Sequence, residues 1–193
     1  MNFLAHLFLA EPSDEFRIGS ILADFTAGRI EELRQRYGPE IARGIQQHRE
    51  VDRFTDTHEA VLHSVACLQP AHGIFSGIIV DVCYDHFLLN HWTTFSATPL
   101  AEFLDSVHDS LSRNHKHFPP IYQYVIPRLI SGQWLLSYRS LEGVHIALTR
   151  IGYRFSRKTT LGQAVITIKQ YYTELEDDFL RFFPEVIEFV RQL

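Results

Sequence analysis

The sequence predicts an all-α protein with a single compact domain. Apolar residues recur three or four positions apart within segments that Pro and Gly separate, which is typical of amphipathic helices. No run of alternating polar and apolar residues is joined to another by a hairpin turn, so a sheet is not expected. A chain of 193 residues with 46% hydrophobic residues can bury one substantial core and is short for two. We therefore expect one domain, residues 1–193, built from seven to nine helices.

The N-terminal half supplies four of these helices. Two short apolar segments come first, and Pro39 then suits the first turn of a longer helix. Pro70 to Gly73 should break the chain, and the segment after this break is apolar enough to be buried on most sides. The four expected helices are 1–10, 16–28, 39–68 and 74–92.

The C-terminal half supplies the remaining helices. Thr98 and Pro99 have the residue types of an N-cap and of a first helical position. Pro119 and Pro120 should open another helix, which Pro127 would kink or end. The other expected helices are 99–114, 134–150, 160–176 and 184–192.

Composition and the N-terminal segment indicate a cytoplasmic protein. Cys67 and Cys83 are the only cysteines and lie in apolar helical segments, so we expect both to be reduced and buried. The apolar N-terminus lacks a basic region and a small-residue cleavage site, so a signal peptide is not expected. No uninterrupted apolar run reaches the roughly 18 residues that cross a bilayer, and we expect no membrane association.

Charge is distributed unevenly along the chain. Between Arg113 and Lys169 there are nine basic residues and one acidic residue, Glu142, whereas the whole chain carries a net charge of −5. The overall negative charge argues against a general nucleic-acid binder. Arg and aromatic residues do mix near residues 138–158, which could bind RNA, but a docking face for an acidic protein explains the same residues equally well.

Acidic residues and histidines in four separate segments suggest a metal centre. His48 and Asp52 are four residues apart on one predicted helix, and the next helix carries two aspartates with the same spacing. Carboxylates in so apolar a helix are unfavourable unless they are paired or bind a cation. Mixed imidazole and carboxylate ligands suit Mn²⁺, Fe²⁺, Mg²⁺ or Zn²⁺, which can activate water and neutralise phosphoryl oxygens. The candidate residues are His6, Asp24, His48, Asp52, Asp81, Asp85 and His86.

Each of these residues also has a structural interpretation. His48 and Asp52 could form a surface pair on one helix, and the two later aspartates could bond to Arg49 or Arg53. His6 could be a hydrogen-bonded core histidine. A Gly-rich phosphate loop, a Gly-x-Ser-x-Gly motif and the HExxH and CxxC metal motifs are all absent from the sequence. Other polar residues that we expect to be solvated or structural are Asp56, Glu59, His63, His72, His91, His108, His115, His117 and His145.

Several short motifs together resemble the acyl carrier protein phosphodiesterase family, also called holo-acyl carrier protein hydrolases. In chain order they are "MNFLAHL", "GSILADF", "HREVDRFTDTH", "DVCYDHFL" followed by Trp92, "LEGVHIAL" and "YYTELEDDFLRFFPEVIEF". The family is described as a divergent relative of the all-helical HD phosphohydrolases, which agrees with the predicted fold. The chain departs from the HD pattern because it carries "DH" at Asp85 and His86.

The resemblance implies a metal-dependent hydrolysis that removes 4′-phosphopantetheine from a serine of holo-acyl carrier protein. It favours Mn²⁺, with Mg²⁺ or Fe²⁺ as alternatives. Arg49 would stabilise the phosphoryl oxygens, and His58 or His86 would protonate the serine oxygen as it leaves. The expected ligands are Asp24, His48, Asp52, Asp81 and Asp85, followed by His6 and His86.

The resemblance also gives the basic segment a role, because acyl carrier proteins are strongly acidic and a basic surface would steer their docking. The residues that we assign to this docking surface are Arg139, Arg150, Arg154, Arg157 and Lys158. Two other functions stay open on the sequence alone. One is a metal phosphohydrolase that acts on a nucleotide or another small phosphodiester, and the other is a non-catalytic adaptor for an acidic partner.

Overall fold

The structure, a computed structural model, describes residues 1–118, 120–123 and 134–193. All regular secondary structure in these residues is helical, which confirms the all-α prediction. The α-helices, numbered here in chain order, are α1 (Phe3–Leu9), α2 (Asp14–Leu22), α3 (Ile30–Tyr37), α4 (Pro39–Thr57), α5 (Glu59–His72), α6 (Ser76–Asn90), α7 (Trp92–Phe95), α8 (Leu100–Asn114), α9 (Pro120–Gln123), α10 (Trp134–Ser137), α11 (Leu141–Gly152), α12 (Ala164–Gln170) and α13 (Tyr172–Arg191). Short 3₁₀ turns span Ala23–Phe25, Gly73–Phe75, His115–His117 and Leu161–Gln163.

The chain divides into two compact units, each built from separate stretches of sequence. The first unit contains Met1–Asn2, Arg53–His91 and Leu136–Gln192. The second contains Phe3–Asp52 and the described residues of Trp92–Leu135. The expectation of one domain over residues 1–193 stays a prediction.

The second unit is built around α2, which packs against α1 and α8. Glycine permits a close approach between α2 and α4. A Cβ atom on Gly19 would lie only 2.1 Å from the carbonyl oxygen of Ile41, and one on Gly44 would lie 2.2 Å from that of Phe16. Because neither contact leaves room for a side chain, these two glycines set the distance between the two helices.

The first unit is built around α6, which packs against α5, α11 and α13. Aromatic rings fill the α6–α13 contact, with Phe179 lying 5.4 Å from Tyr84 and 5.9 Å from Phe87 between ring centroids. The continuous helical stretch Glu59–Asn90 is long and apolar enough, by length and composition alone, to cross a membrane. However, α6 buries its apolar side chains against its neighbours in this unit, as the core helix of a globular protein does.

The predicted helix 39–68 is wrong in its extent, because His58 divides it into α4 and α5. His58 has an extended backbone, and its Nδ1 accepts a hydrogen bond from the N–H of Ala60, so its side chain caps α5. The apolar spacing continues across this break, so the sequence pattern does not reveal it. The break predicted over Pro70 to Gly73 falls at the last of these residues: α5 includes Pro70 and runs to His72, and Gly73 follows it with a φ of +54°, which suits a residue without a side chain.

Three further predicted boundaries differ from the structure. The segment 134–150 is interrupted before Ser140, whose Oγ accepts from the N–H of Gly143 and caps α11. The segments 160–176 and 184–192 are divided at Tyr171 instead, and α13 runs through Pro184. The proline costs one backbone hydrogen bond, but a single buried face spans it and holds the helix together. That face consists of Leu175, Asp178, Phe179, Phe182, Phe183 and Val186.

The remaining differences are small. Helix α8 begins at Leu100. Pro99 was expected at the first helical position but directly precedes the helix, and its carbonyl accepts a hydrogen bond from the N–H of Phe103. Helix α3 was not predicted. Together with the division of predicted helices into shorter ones, it makes the helices of the described residues more numerous than the seven to nine expected. The expectations for Pro119 and Pro127 fall outside the described residues.

Candidate metal centre

Two buried histidines and one aspartate meet between α1 and α4 in the second unit. The Nε2 atom of His6 lies 3.1 Å from Oδ1 of Asp52, and Nε2 of His48 lies 3.1 Å from Oδ2 of the same carboxylate. The imidazole rings stack with centroids 3.7 Å apart and an interplanar angle of 13°. One carboxylate therefore faces two parallel imidazoles. The structure thus brings together three of the predicted ligands.

Local hydrogen bonds explain how α1 is held in this position. Ser20 on α2 donates its hydroxyl to the carbonyl of His6, and Gln47 on α4 donates its amide to the carbonyl of Leu9. Both acceptors are backbone groups of α1, so α2 and α4 fix the helix and with it the His6 ring. His48 and Asp52 need no such help because they are one turn apart on α4.

Asp24 joins the cluster from the 3₁₀ turn after α2. Its Oδ1 lies 3.4 Å from Nε2 of His48. Arg49 holds the loop that follows this turn: its Nη1 donates to the carbonyl of Gly28 at 2.9 Å and its Nη2 to that of Thr26 at 3.1 Å. In the structure, two of its guanidinium nitrogens thus bind the loop after Asp24, and the predicted contact of Arg49 with phosphate stays a prediction.

The environment of the cluster sets the charges of its members. Burial lowers the pKa of His6 to about 4, so this ring is neutral near pH 7. Burial would lower the pKa of His48 too, but hydrogen bonds and charge from Asp24 and Asp52 outweigh it and raise the pKa to about 9. For Asp52, burial opposes ionisation, but hydrogen bonds from His48 and His6 outweigh burial and hold its pKa well below the usual range. Without a metal, His48 and Asp52 form an ion pair.

The donor atoms fit a divalent cation. Nδ1 of His48 is buried without a hydrogen-bond partner among the described residues, and Nε2 of His6 is buried and faces the Asp52 carboxylate 3.1 Å away. The candidate donor atoms of His6, His48 and Asp52 lie within 4.8 Å of one another. Buried nitrogens of this kind are unfavourable in a protein interior, and two imidazoles with carboxylates suit Mn²⁺, Fe²⁺ or Zn²⁺ better than the oxygen-preferring Mg²⁺.

The two other predicted carboxylate ligands lie on α6, in the first unit. The amino group of Met1 lies 3.2 Å from Oδ1 of Asp81. Asp85 is fully buried on the same helix. The structure thus assembles four of the predicted ligands in the second unit, and the assignment of Asp81 and Asp85 stays a prediction.

The two predicted proton donors have structural partners in the first unit. His86 is buried: its Nδ1 donates to the carbonyl of Tyr138 at 2.6 Å, and its Nε2 accepts from the hydroxyl of Tyr172 at 2.9 Å. Burial lowers its pKa below the usual 6.5. His58 caps α5, and its Nε2 lies 3.2 Å from Glu185. Both rings have roles in the fold, and their part in proton transfer stays a prediction.

The predicted docking residues are all exposed and lie in the first unit. No ion pair involves any of the five within the described part of the chain, whereas many other arginines, such as Arg113 with Asp14, are paired. The guanidinium of Arg157 lies over the ring of Phe75, 5.2 Å from its centroid. The five residues are Arg139, Arg150, Arg154, Arg157 and Lys158.

The first unit contains a polar network around a buried aspartate that the sequence did not predict. Asp178 is 2% exposed and receives hydrogen bonds from the hydroxyl of Ser64 and the guanidinium of Arg181, while Nδ1 of His63 lies 2.7 Å from the same carboxylate. The hydroxyl of Ser64 also lies 3.1 Å from that of Tyr84. The network joins α5 to α6 and α13. The sequence carried one signal, an aspartate on the apolar face of α13, but nothing nearby in the chain identified its partners.

Comparison with known proteins gives a consistent result. The family model described as acyl carrier protein phosphodiesterase matches residues 1–186. A protein of that name from Yersinia pestis is 35% identical over 188 residues, 97% of this chain and 96% of the relative. Proteins of the same name are 32% identical over 189 residues in Escherichia coli O45:K1, again 97% and 96% of the two chains, and 31% identical over 192 residues in Pectobacterium atrosepticum, 99% of this chain and 98% of the relative.

No solved structure matches the chain, so the relation to HD phosphohydrolases stays a prediction. The match to the family model nevertheless spans almost every residue and includes every motif on which the resemblance rests, except the last three residues of the C-terminal one. The chain belongs to the acyl carrier protein phosphodiesterase family.

Proposed function

We propose that the protein hydrolyses the phosphodiester between 4′-phosphopantetheine and a serine of holo-acyl carrier protein. The products are apo-acyl carrier protein and free phosphopantetheine. The observation that carries this proposal is the cluster of His6, His48 and Asp52, because buried imidazole and carboxylate donors are what a hydrolytic metal requires. The names of the relatives supply the substrate.

The proposed ligands are His6, Asp24, His48 and Asp52. When bound, a divalent cation supplies a Lewis acid that lowers the pKa of water and neutralises charge on the phosphoryl oxygens. Mn²⁺ is our preferred ion, since the family resemblance favours it and the two imidazoles disfavour Mg²⁺.

The side chains of the cluster prepare this site in different ways. His6 is already neutral near pH 7, so its Nε2 can act as a donor without losing a proton. His48 must lose one proton before it can bind the cation. The positive charge that faces Asp24 and Asp52 would then be that of the cation instead of the imidazolium. Arg49 holds the loop after Asp24 and thereby keeps this carboxylate against His48.

The leaving serine oxygen needs a proton, for which His58 and His86 are the predicted donors. His58 is the better candidate of the two, because its side chain is less buried and, among the described residues, the polar partner of its Nε2 is the exposed carboxylate of Glu185. His86 uses both ring nitrogens for hydrogen bonds inside the fold.

The proposed partner is the holo-acyl carrier protein itself, bound through the basic docking surface in the cytoplasm. The five exposed cations of that surface have no carboxylate partner in the described part of the chain, which leaves them available to an acidic protein.

Intact-mass measurement tests the proposal directly. Holo-acyl carrier protein is incubated with the protein and Mn²⁺, and we expect the mass of the carrier to fall by that of the phosphopantetheine group. A chelator should abolish the change. Asp52→Ala should slow it by more than about 100-fold, because even groups that only support a metal ligand typically contribute roughly 10- to 100-fold. Asp56→Ala is the matched control, since Asp56 is exposed one turn further along α4.

The outcomes separate the alternative functions. An unchanged carrier with Mn²⁺ bound, together with hydrolysis of nucleotides or other small phosphodiesters, would support the small-substrate enzyme. An unchanged carrier with no metal bound would favour the non-catalytic adaptor. If Asp56→Ala abolished the mass change and Asp52→Ala did not, the assignment of the metal centre would be wrong.

A further inference from the structure

A loop in the first unit combines exposed aromatic and basic side chains in an ordered arrangement. Residues 153–158, "YRFSRK", follow α11 and are all exposed. The loop begins with turn hydrogen bonds from Arg154 to Ile151 and from Phe155 to Gly152. It ends at Thr160, whose hydroxyl lies 3.0 Å from Nδ1 of the buried His72. Both ends of the loop are therefore held by the fold.

The loop rests on the 3₁₀ turn Gly73–Phe75. The ring of Phe155 meets that of Phe75 edge to face, with centroids 5.4 Å apart. The guanidinium of Arg157 lies over the same Phe75 ring. Phe75 is thus buried beneath the loop, while its neighbour Ile74 is 71% exposed.

The result is an apolar centre with basic neighbours. Tyr153 is 83% exposed, and with Phe155 and Ile74 it presents two aromatic rings and an aliphatic side chain to solvent. A row of cations accompanies them: Arg150 in the last turn of α11, then Arg154, Arg157 and Lys158. Exposed aromatic anchors beside arginines are what the central contacts of protein interfaces typically consist of.

We propose that Ile74, Tyr153 and Phe155 form the apolar contact through which the protein docks the acidic carrier protein, with Arg150, Arg154 and Lys158 pairing with its carboxylates. This inference rests on the proposed function and adds the apolar contact to the basic surface. The occupant is an acidic protein segment with apolar side chains between its carboxylates, because no ion pair compensates the cations within the described residues and the exposed Ile74 directly precedes Phe75, the ring that Phe155 contacts. A nucleic acid would use the same cations but gains nothing from Ile74.

Kinetics with the full-length protein test the apolar contact. Ile74→Ser combined with Phe155→Ser should raise KM for holo-acyl carrier protein by about tenfold, which corresponds to a loss of about 1.4 kcal/mol of binding free energy. The value of kcat should change less than about twofold, because the metal centre is untouched. Ile166→Ser is the matched control: Ile166 is 74% exposed on α12 of the same unit but lies outside the loop.

A second pair of variants tests the charges. Arg154→Glu with Lys158→Glu should also raise KM by about tenfold. Arg34→Glu with Arg36→Glu, two exposed arginines on α3, carries the same charge change and should leave KM within about twofold. Hydrolysis of bis(p-nitrophenyl) phosphate should be the same in all four variants and the wild type, which shows that the fold and the metal centre are intact.

Direct binding separates failure of this inference from failure of the proposed function. Fluorescence anisotropy measures the affinity of labelled holo-acyl carrier protein whether or not it is hydrolysed. If the wild type binds the carrier and neither loop variant weakens binding, the docking contact is wrong while the function can stand. If the wild type neither binds nor hydrolyses the carrier, both fail. If labelled single-stranded RNA binds and the loop variants weaken its binding, the surface belongs to a nucleic acid.

Discussion

The imidazole rings of His6 and His48 stack face to face, with their centroids 3.7 Å apart. Two parallel imidazoles at this distance repel each other if both are positively charged, and their surroundings favour a charge on only one of them. Burial keeps His6 neutral with a pKa of about 4, whereas Asp24 and Asp52 raise the pKa of His48 to about 9. Near pH 7 the cluster therefore holds one imidazolium, His48, and this ring must give up one proton before its Nε2 can bind a metal.

Metal binding should release that proton. Because a ligating imidazole is neutral, we expect the association constant of Mn²⁺ to rise about tenfold for each pH unit between about pH 6.5 and pH 9 and to level off above. Isothermal titration in buffers with different ionisation enthalpies measures the proton released. His48→Gln should abolish the slope, and Asp56→Ala should keep it. A Mn²⁺ affinity that does not change over this range would contradict the assigned charge of His48.

The same proton makes the metal-free protein sensitive to alkaline pH. The pKa of His48 is higher in the folded protein, about 9, than its ordinary value of 6.5, so its stabilising effect is fully present below pH 6.5 and is lost as the pH rises to 9. The pKa of Asp52 is lowered, so its stabilising effect is present above about pH 4 and is lost on acidification. We expect Tm of the metal-free protein to fall between pH 7 and pH 9, and Tm with Mn²⁺ bound to stay level or rise.

Arg49 should act on metal affinity rather than on substrate affinity. Its two hydrogen bonds to the carbonyls of Thr26 and Gly28 need the forked guanidinium, which lysine does not provide. We expect Arg49→Lys to weaken Mn²⁺ binding by roughly tenfold, as loss of a supporting group at a metal site does. Arg34→Lys, at an exposed position on α3, is the control. If Arg49→Lys binds Mn²⁺ as the wild type does but has a raised KM, then Arg49 contacts phosphate as first predicted.

The sequence predicted the members of the cluster between α1 and α4 better than it predicted the helix boundaries. His6 and Asp24 stood out because each is a single ionisable residue in an apolar segment, and His48 and Asp52 because they share a helical face. Such signals depend only on residues that are close in the sequence, so they can be recognised without knowing the fold. Their convergence was inferred from the cost of burying them singly and from the family resemblance, since no pattern in the chain measures distances between segments.

What the sequence did not reveal depends on partners that are distant in the chain. Asp178 and His63 are 115 residues apart, so no local spacing links them. His58 separates α4 from α5 because its ring accepts a hydrogen bond from the backbone of Ala60. Histidine is not among the residue types that commonly cap helices, so the sequence did not indicate this boundary. Pro184 is tolerated in α13 because packing on both sides of it compensates for the missing hydrogen bond.

His58 offers a test that separates its cap from its proposed proton transfer. His58→Ala should destabilise the protein by about 1 kcal/mol through loss of the cap, and His58→Asn should restore most of this because Asn is a good N-cap residue. If the ring is only a cap, kcat stays near the wild-type value in both variants. If it is the general acid, both lose roughly 10²- to 10⁴-fold in kcat, although the Asn variant is stable. Urea unfolding and the intact-mass assay supply the two readouts.

The crossing of α2 and α4 links the packing of the second unit to its metal centre. A methyl group on Gly44 would lie 2.2 Å from the carbonyl oxygen of Phe16, so Gly44→Ala must push the helices apart. We expect it to destabilise the protein by about 1–3 kcal/mol, as overpacking does. Mn²⁺ binding should weaken as well, because α2 leads to Asp24 and α4 carries His48.

Gly77→Ala is the matched control for this helix crossing. Gly77 lies near the start of α6 with nothing within 4 Å of an added methyl group, so alanine should stabilise the protein by up to about 1 kcal/mol. Mn²⁺ binding should not change in this variant. If Gly44→Ala were as stable as Gly77→Ala and bound Mn²⁺ equally well, the distance between α2 and α4 would not be what brings Asp24 to His48.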